Sequence, residues 1–484
     1  MNGMNAGRCK NPICGGNGNC MVCPKRMVGQ SNSDSFEAVA EYAVSVTEDT
    51  AVCYAAKVGP TGDADMVHNA EYAIAIDLGT TTLVFALADK ISGQVVHTIT
   101  MLNSQRKYGA DVLSRIQASV DGKKDELRAC IQNALCEGID RLLQEYKVSA
   151  KADSVEKIVI SGNTTMVHLL MGYDCSSLGV YPFTPVNTET IIGTAEEILG
   201  YRQQDNVIKV TVLSGISAFV GGDIVSGLYA LGFAENDKPC LFVDLGTNGE
   251  IVLGNADRML TTSVAAGPAF EGGNISCGTG SVPGAICAVQ INETGVPDIR
   301  IKTIKDAMPC GICGTGIIET IAELYKCGLV DETGLLADEY FDDGFILVKA
   351  KEGGMDKNKP HHPIVITQKD IRQFQLAKAA VRTGIEILMK EYGNTEDEID
   401  KVYLAGGFGY RLDMTKAASI GLIPTGLAGK AMAVGNTSLA GNVKYLTETN
   451  ATQVIGKVKN ASEDIILAND DDFQELYLKN TCLG

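Results

Sequence analysis

Two aspartates occupy the same setting at two places in the chain. Asp77 closes the apolar run Tyr72-Ala-Ile-Ala-Ile and leads into Leu78-Gly79-Thr80-Thr81-Thr82. Asp244 closes Cys240-Leu-Phe-Val and leads into Leu245-Gly246-Thr247-Asn248-Gly249. A glycine just past a strand end lets backbone N–H groups approach an anion closely, neighbouring threonines add hydroxyl donors, and the carboxylate suits a hydrated Mg2+. Two such loops could clamp the phosphates of one nucleotide from opposite sides. Asp77 and Asp244 are thus candidates for organising Mg2+ and water, and Gly79, Thr80, Thr81, Gly246, Thr247 and Gly249 for holding phosphates. A later apolar run ends in Gly406-Gly407, where a nucleotide could approach the backbone. Walker A chemistry is excluded, because the Gly-Lys pairs are followed by Lys124, Ala431 and Val458, never by Ser or Thr.

A second constellation is thiol-based. Of fifteen cysteines, Cys9, Cys14, Cys20, Cys23 and Cys53 crowd the N-terminal stretch. The spacing Cys14-x5-Cys20-x2-Cys23-x29-Cys53 is close to that of plant-type 2Fe-2S proteins, with three thiolates on one loop and a fourth from a distant strand. The set Cys9, Cys14, Cys20 and Cys23 is a rival that could hold a 4Fe-4S cluster or a structural zinc. Cys310 and Cys313 have redox-pair spacing but open a Gly-rich turn before an apolar helix, so packing is the expected role. His168 lies among apolar helix residues and reads as a core histidine; His361 and His362 read as solvated. Asp111 and Asp223 stand at helix starts, where an Asp serves as a cap or dipole partner or faces a cleft.

The elements that must position these residues repeat. Strand, Asp-Leu-Gly-Thr turn, strand, turn, strand occurs from Tyr72 to Met101 and again from Cys240 to Val264. Each unit is followed by another strand running into a glycine turn, at Lys157 to Gly162 and at Val402 to Gly409. Helical stretches are expected over 111–118, 124–146, 165–171, 316–327 and 367–391. Strands alternating with helices give an α/β fold, here two lobes facing each other across a cleft. The expected organisation is a small N-terminal iron–sulfur segment over 1–68, a first lobe over 69–205, a second over 206–445 and an acidic C-terminal extension over 446–484.

Composition narrows the partners. The formal net charge of −18 repels phosphate backbones and anionic lipid, so neither nucleic acid nor a membrane surface is expected. No apolar run is long enough to span a bilayer and no secretory leader is visible, so the expected compartment is the cytoplasm.

Collectively the motifs resemble the acetate and sugar kinase, Hsp70 and actin ATPase superfamily, with its two RNase H-like repeats. DLGTTT is similar to its first phosphate motif, DLGTNGE to its second and LAGGFG to its adenosine motif. The runs NSQRKYGADVLSRI (103–116), GNTTMVHLLMG (162–172), GPAFEGGNISCG (267–278) and CGICGTGIIETIAEL (310–324) resemble one branch, the reductive activators of corrinoid proteins. That resemblance implies ATP and Mg2+ in the cleft and a 2Fe-2S cluster on Cys14, Cys20, Cys23 and Cys53. It also implies one-electron return of a corrinoid protein from Co(II) to Co(I), within a methyltransferase system, from a low-potential ferredoxin- or flavodoxin-type donor; a homodimer is possible in such a scheme. Thirteen residues precede Cys14, fewer than in the family's ferredoxin domain, so a shortened first domain is expected. A small-molecule kinase and a non-catalytic, ATP-gated escort of the corrinoid protein are the alternatives.

Overall fold

The computed structural model describes residues 71–148, 154–202, 207–292, 298–350, 360–406 and 412–484. Cys9, Cys14, Cys20, Cys23, Cys53, the 1–68 segment and Gly407 lie outside the described residues.

The first sheet is built from β1 (Glu71–Leu78), β2 (Thr82–Asp89), β3 (Val95–Leu102), β4 (Ser154–Gly162), β5 (Ile191–Thr194) and β6 (Lys209–Val212), in the order β3-β2-β1-β4-β6-β5. The second contains β7 (Cys240–Leu245), β8 (Gly249–Gly254) and β9 (Met259–Val264). Between its parts run β10 (Ala285–Asn292), β11 (Asp298–Thr303) and β12 (Gly311–Ile312), a small sheet of their own, and the hairpin β13 (Phe345–Val348) and β14 (Ile364–Ile366). β15 (Lys401–Gly406), β16 (Ala431–Gly435) and β17 (Ser462–Asp464) complete the second sheet, in the order β16-β15-β7-β8-β9-β17. From the third strand inward, β3-β2-β1-β4-β6 and β9-β8-β7-β15-β16 match, so the repeat in the sequence is a repeat of topology. The first sheet takes in residues 209–212, beyond the expected boundary at 205. The residues after 445, expected as an extension, supply β17, which pairs with β9.

β1 and β7 lie mid-sheet and are covered on both faces, hence their nearly unbroken apolar sequences. Successive side chains of β1 point to opposite faces. Ile74 and Ile76 share a core with α2 (Lys124–Glu145), which buries Leu127, Ile131, Leu135, Ile139 and Leu142 at helical spacing; α1 (Val112–Ala118) precedes it. A Cβ at Gly138 would sit 2.2 Å from the Phe85 ring, which is how closely α2 approaches β2. α3 (Thr164–Met171) follows β4.

Two helices join the halves. α4 (Gly222–Ala230) links β6 to β7, and its Ile224, Val225 and Leu228 share a core with Val159 of β4 and Phe242 of β7. On the second lobe's other face lie α5 (Gly314–Lys326) and α6 (Gln368–Tyr392). α7 (Thr437–Thr447) follows β16 yet lays Leu439 and Val443 on Ala75, Val84 and Ala86 of the first sheet. α4 and α7 cross almost backbone to backbone: a Cβ on Gly441 would lie 2.0 Å from the Ser226 carbonyl oxygen. α8 (Ala451–Ala461) packs Val454, Ile455 and Val458 into the core shared by α4 and β7. Among the described residues no helix is long and apolar enough to cross a membrane.

Candidate functional site

The parallel pairing of each sheet brings the candidate residues to its C-terminal edge. Asp77 pairs with Ser161 and Leu78 with Gly162; in the second sheet Asp244 pairs with Ala405 and Leu245 with Gly406. The crossing helices deliver further groups between the two aspartates. Asp223 lies in the first turn of α4, and Asn436 caps α7, its side chain accepting from the Leu439 N–H at 2.8 Å.

The Asp77 carboxylate is held by both ends. Asn436 Nδ2 donates to Oδ2 and Ser438 Oγ to Oδ1, each at 2.8 Å. Behind them Ser438 Oγ and Ser161 Oγ are 2.7 Å apart, and Asn442 Nδ2 reaches Ser161 Oγ at 2.6 Å and the Ile76 carbonyl at 2.8 Å. A helix from the second half of the chain is thereby tied to the loop aspartate of the first.

The carboxylates crowd one another. Asp223 is pushed up to about 7 by burial and by the Asp77 charge, and Asp244 to about 7 by burial and by the charges of Asp223, Asp77 and Glu271. Burial also raises Asp77, where Asn436 and Ser438 counteract it. Glu250 lies opposite Asp244 across the β7–β8 pair and is raised well above the ordinary glutamate value, first by burial and then by Asp223 and Asp244. Each of these four side chains keeps some solvent contact, and no Lys or Arg forms an ion pair with any of them among the described residues. Such a set is costly without a counter-ion, so its donors suit a divalent cation. Among the described residues no three His, Cys, Asp or Glu side chains stand close enough to chelate an ion directly.

The loops differ in why they need glycine. A Cβ at Gly79 would lie 2.5 Å from the Thr82 carbonyl, and one at Gly406, whose φ is +103, would lie 2.3 Å from the Leu245 carbonyl. Gly246 has its nearest such neighbour at 3.7 Å, so a side chain would fit there. Gly249 faces Val264 and Val381 and serves packing. Thr80 Oγ1 accepts from Asn163 Nδ2 at 2.9 Å, and Thr247 Oγ1 donates to Glu271 Oε2 at 2.6 Å. Thr81 stands in the same turn, partly exposed.

Glu250, Glu271, Asn436 and Ser438 were not singled out from sequence. The first two sit inside quoted motifs, DLGTNGE and GPAFEGG; Gly435-Asn436-Thr437-Ser438 carries only a helix-cap signal, silent about Asp77. Asp111 is a cap, accepting from the Ser114 N–H at 2.7 Å, whereas Asp223 belongs to the cluster. His168 is fully buried, with Nδ1 on the Thr164 carbonyl and Nε2 accepting from the Val186 N–H. Cys313 is buried as packing requires, but Cys310 is exposed. A cleft of about 500 Å³ lined by Gly93, Ala230, Glu235, Asn236, Lys444 and Thr447 lies at the opposite ends of α4 and α7 and holds none of the candidate residues.

Residues 72–236 match the model of the RACo middle region, and residues 238–484 that of the C-terminal domain of RACo, the ASKHA domain. The corrinoid activation enzyme RamQ of Eubacterium limosum is 32% identical over 437 residues, covering 85% of this chain and 70% of that protein. The [Co(II) methylated amine-specific corrinoid protein] reductase of Methanosarcina barkeri is 26% identical over 439 residues, covering 84% and 76%. A solved reductive activator for corrinoid, iron-sulfur protein superposes with a TM-score of 0.76 at 33% identity, covering 87% of this chain and 67% of that one.

Proposed function

The chain belongs to the family of reductive activators of corrinoid proteins, and on that premise we propose that it couples ATP to returning a partner corrinoid protein from Co(II) to Co(I). The observation that carries this reading is the convergence of Asp77, Asp223 and Asp244, from both halves of the repeat and the helix between them, with no counter-cation among the described residues. In this reading those three carboxylates hold a hydrated Mg2+ that neutralises phosphate charge. Gly79, Thr80, Thr81, Gly246 and Thr247 face the phosphates, and Gly406 with Gly407 lets the nucleotide approach the backbone. Gly249 shapes the second loop from behind.

Four thiols, Cys14, Cys20, Cys23 and Cys53, form a donor set suited to a 2Fe-2S cluster. Bound there, the cluster would supply the single electron that takes Co(II) to Co(I), itself re-reduced by a low-potential ferredoxin- or flavodoxin-type donor. Every 59 mV by which that transfer is uphill costs about tenfold in the equilibrium. ATP can offset this only through contacts that differ between two states. α4 and α7 provide a joint for such states, because their N-termini carry Asp223, Asn436 and Ser438 while their flanks pack on both sheets. This reading assigns the partner to a methyltransferase system and the reaction to the cytoplasm, and it is compatible with a homodimer.

The test is anaerobic Co(II) reduction with a corrinoid protein and a chemical reductant, with and without Mg2+-ATP, alongside iron analysis of the full chain. About two irons per chain and ATP-stimulated appearance of Co(I) are expected. Phosphoryl transfer to a metabolite by an iron-free protein would replace this reading with a kinase.

The carboxylate cluster also predicts a pH dependence. Asp223 and Asp244 have folded values raised to about 7, so the protonated forms are favoured in the folded state. Their contribution to stability is present below about pH 4 and lost as pH rises through about 7. Mg2+ binds the ionised forms and removes that loss. The rise in melting temperature on adding Mg2+ should therefore be larger at about pH 8 than at about pH 5.5. Equal rises at both values would dissociate the cation from these groups.

A further inference from the structure

Arg115, inside the run NSQRKYGADVLSRI, has no place in the scheme above, yet it is fully buried. Its Nε donates to the Gly109 carbonyl at 3.0 Å and Nη2 to the Thr80 carbonyl at 2.7 Å, while among the described residues Nη1 has only the Met166 sulfur, at 3.2 Å. Burial and the nearby Arg106 lower it to about 10, so it remains charged at neutral pH. Among the described residues no carboxylate forms an ion pair with it; Asp111, which caps α1, favours its charge only from a distance. A desolvated guanidinium with a sulfur for one partner is an expensive arrangement unless an anion completes it.

What it touches is the phosphate loop. Asn103 Nδ2 donates to the Gly79 carbonyl at 2.9 Å, so the carbonyls of Gly79 and Thr80 are both pinned from the same run, 103–116. Across a trans peptide the next residue's N–H points opposite to the carbonyl. Pinning these two carbonyls therefore turns the N–H groups of Thr80 and Thr81 away from Asn103 and Arg115. Consecutive amides presented in this way make an anion-binding concavity. Asn163 fixes the Thr80 side chain from a third direction.

We propose that Arg115 is a positioning residue for nucleotide phosphate: it locks the Thr80–Thr81 amides in their phosphate-facing orientation and supplies, from behind the loop, the positive charge that the carboxylate-rich cleft lacks. This rests on the reading of the loop as a nucleotide site. It assigns to the 103–116 run a function distinct from the packing of α1 and α2, and predicts selectivity for the polyphosphate rather than the nucleoside.

The test is calorimetric titration of the full chain with Mg2+-ATP and, separately, with adenosine, for wild type, Arg115→Met and Arg115→Lys. Methionine keeps much of the buried volume without the charge, and lysine keeps the charge without the fork. Arg115→Met should weaken ATP about ten- to hundredfold and leave adenosine unchanged, with Arg115→Lys in between. Thermal unfolding of each variant reports folding; if Arg115→Met does not fold, the ATP-to-adenosine comparison in Arg115→Lys decides. Unchanged ATP binding, or equal weakening of ATP and adenosine, would overturn the proposal, as would a lysine variant no better than methionine. Failure of the wild type to bind ATP at all would instead remove the nucleotide-site reading beneath it.

Discussion

Replacing Asp244 by Asn should abolish ATP-stimulated Co(I) formation while leaving the protein folded and its visible spectrum unchanged. Asp244 stands at the end of β7 opposite Glu250, and burial with the charges of Asp223, Asp77 and Glu271 pushes it to about 7. Asn keeps the shape but removes one charge from the set that would hold Mg2+, and loss of a preorganised electrostatic group of this kind typically costs about 10²–10³ in rate. The nucleotide-free, Mg2+-free variant should unfold at the same or a higher temperature, because one of several mutually repelling carboxylates has gone. That pairing of lost activity with retained or increased stability distinguishes a functional carboxylate from a structural one. A normal ATP-stimulated rate, or a collapse in melting temperature, would remove Asp244 from the mechanism.

A comparably large effect is expected from one methyl group. Gly406 ends β15 with φ +103, and a Cβ there would meet the Leu245 carbonyl oxygen at 2.3 Å and Asp244 Oδ1 at 3.1 Å. Neither the backbone of β7 nor the pairing of β15 with it can move without shifting Asp244. Gly406→Ala should therefore lose ATP-stimulated reduction by about 10²-fold, since displacement of a reacting geometry by about 1 Å is enough for that. It should also lower stability by about 1–3 kcal/mol through the positive φ. Gly456→Ala is the matched control: it lies in α8 with no atom within 4 Å of the added Cβ and should be neutral or slightly stabilising. Wild-type activity in Gly406→Ala would show that the end of β15 does not touch the nucleotide site.

The amino-acid sequence by itself determined the elements and their repetition. Unbroken apolar runs in Tyr72–Ile76 and Cys240–Val243, helical spacing in Leu127–Leu142, and glycine at each strand end are local signals, and the strands and helices form where those signals lie. Gly79 was legible for the same reason, because the clash that demands it is with Thr82, three residues away. Only the tertiary structure decided which polar groups meet. Asn436 and Ser438 reach Asp77 from more than 350 residues along the chain, through a helix that crosses from one half to pack on the other. Glu250 joins Asp244 through strand pairing, and Arg115 reaches the Thr80 carbonyl because α1 folds back under the loop. In each case the residue type is ordinary for its local element, an N-cap, a strand residue, a helix arginine. What brings it to the candidate site is a close approach set by helix crossing and sheet register, which no local pattern encodes.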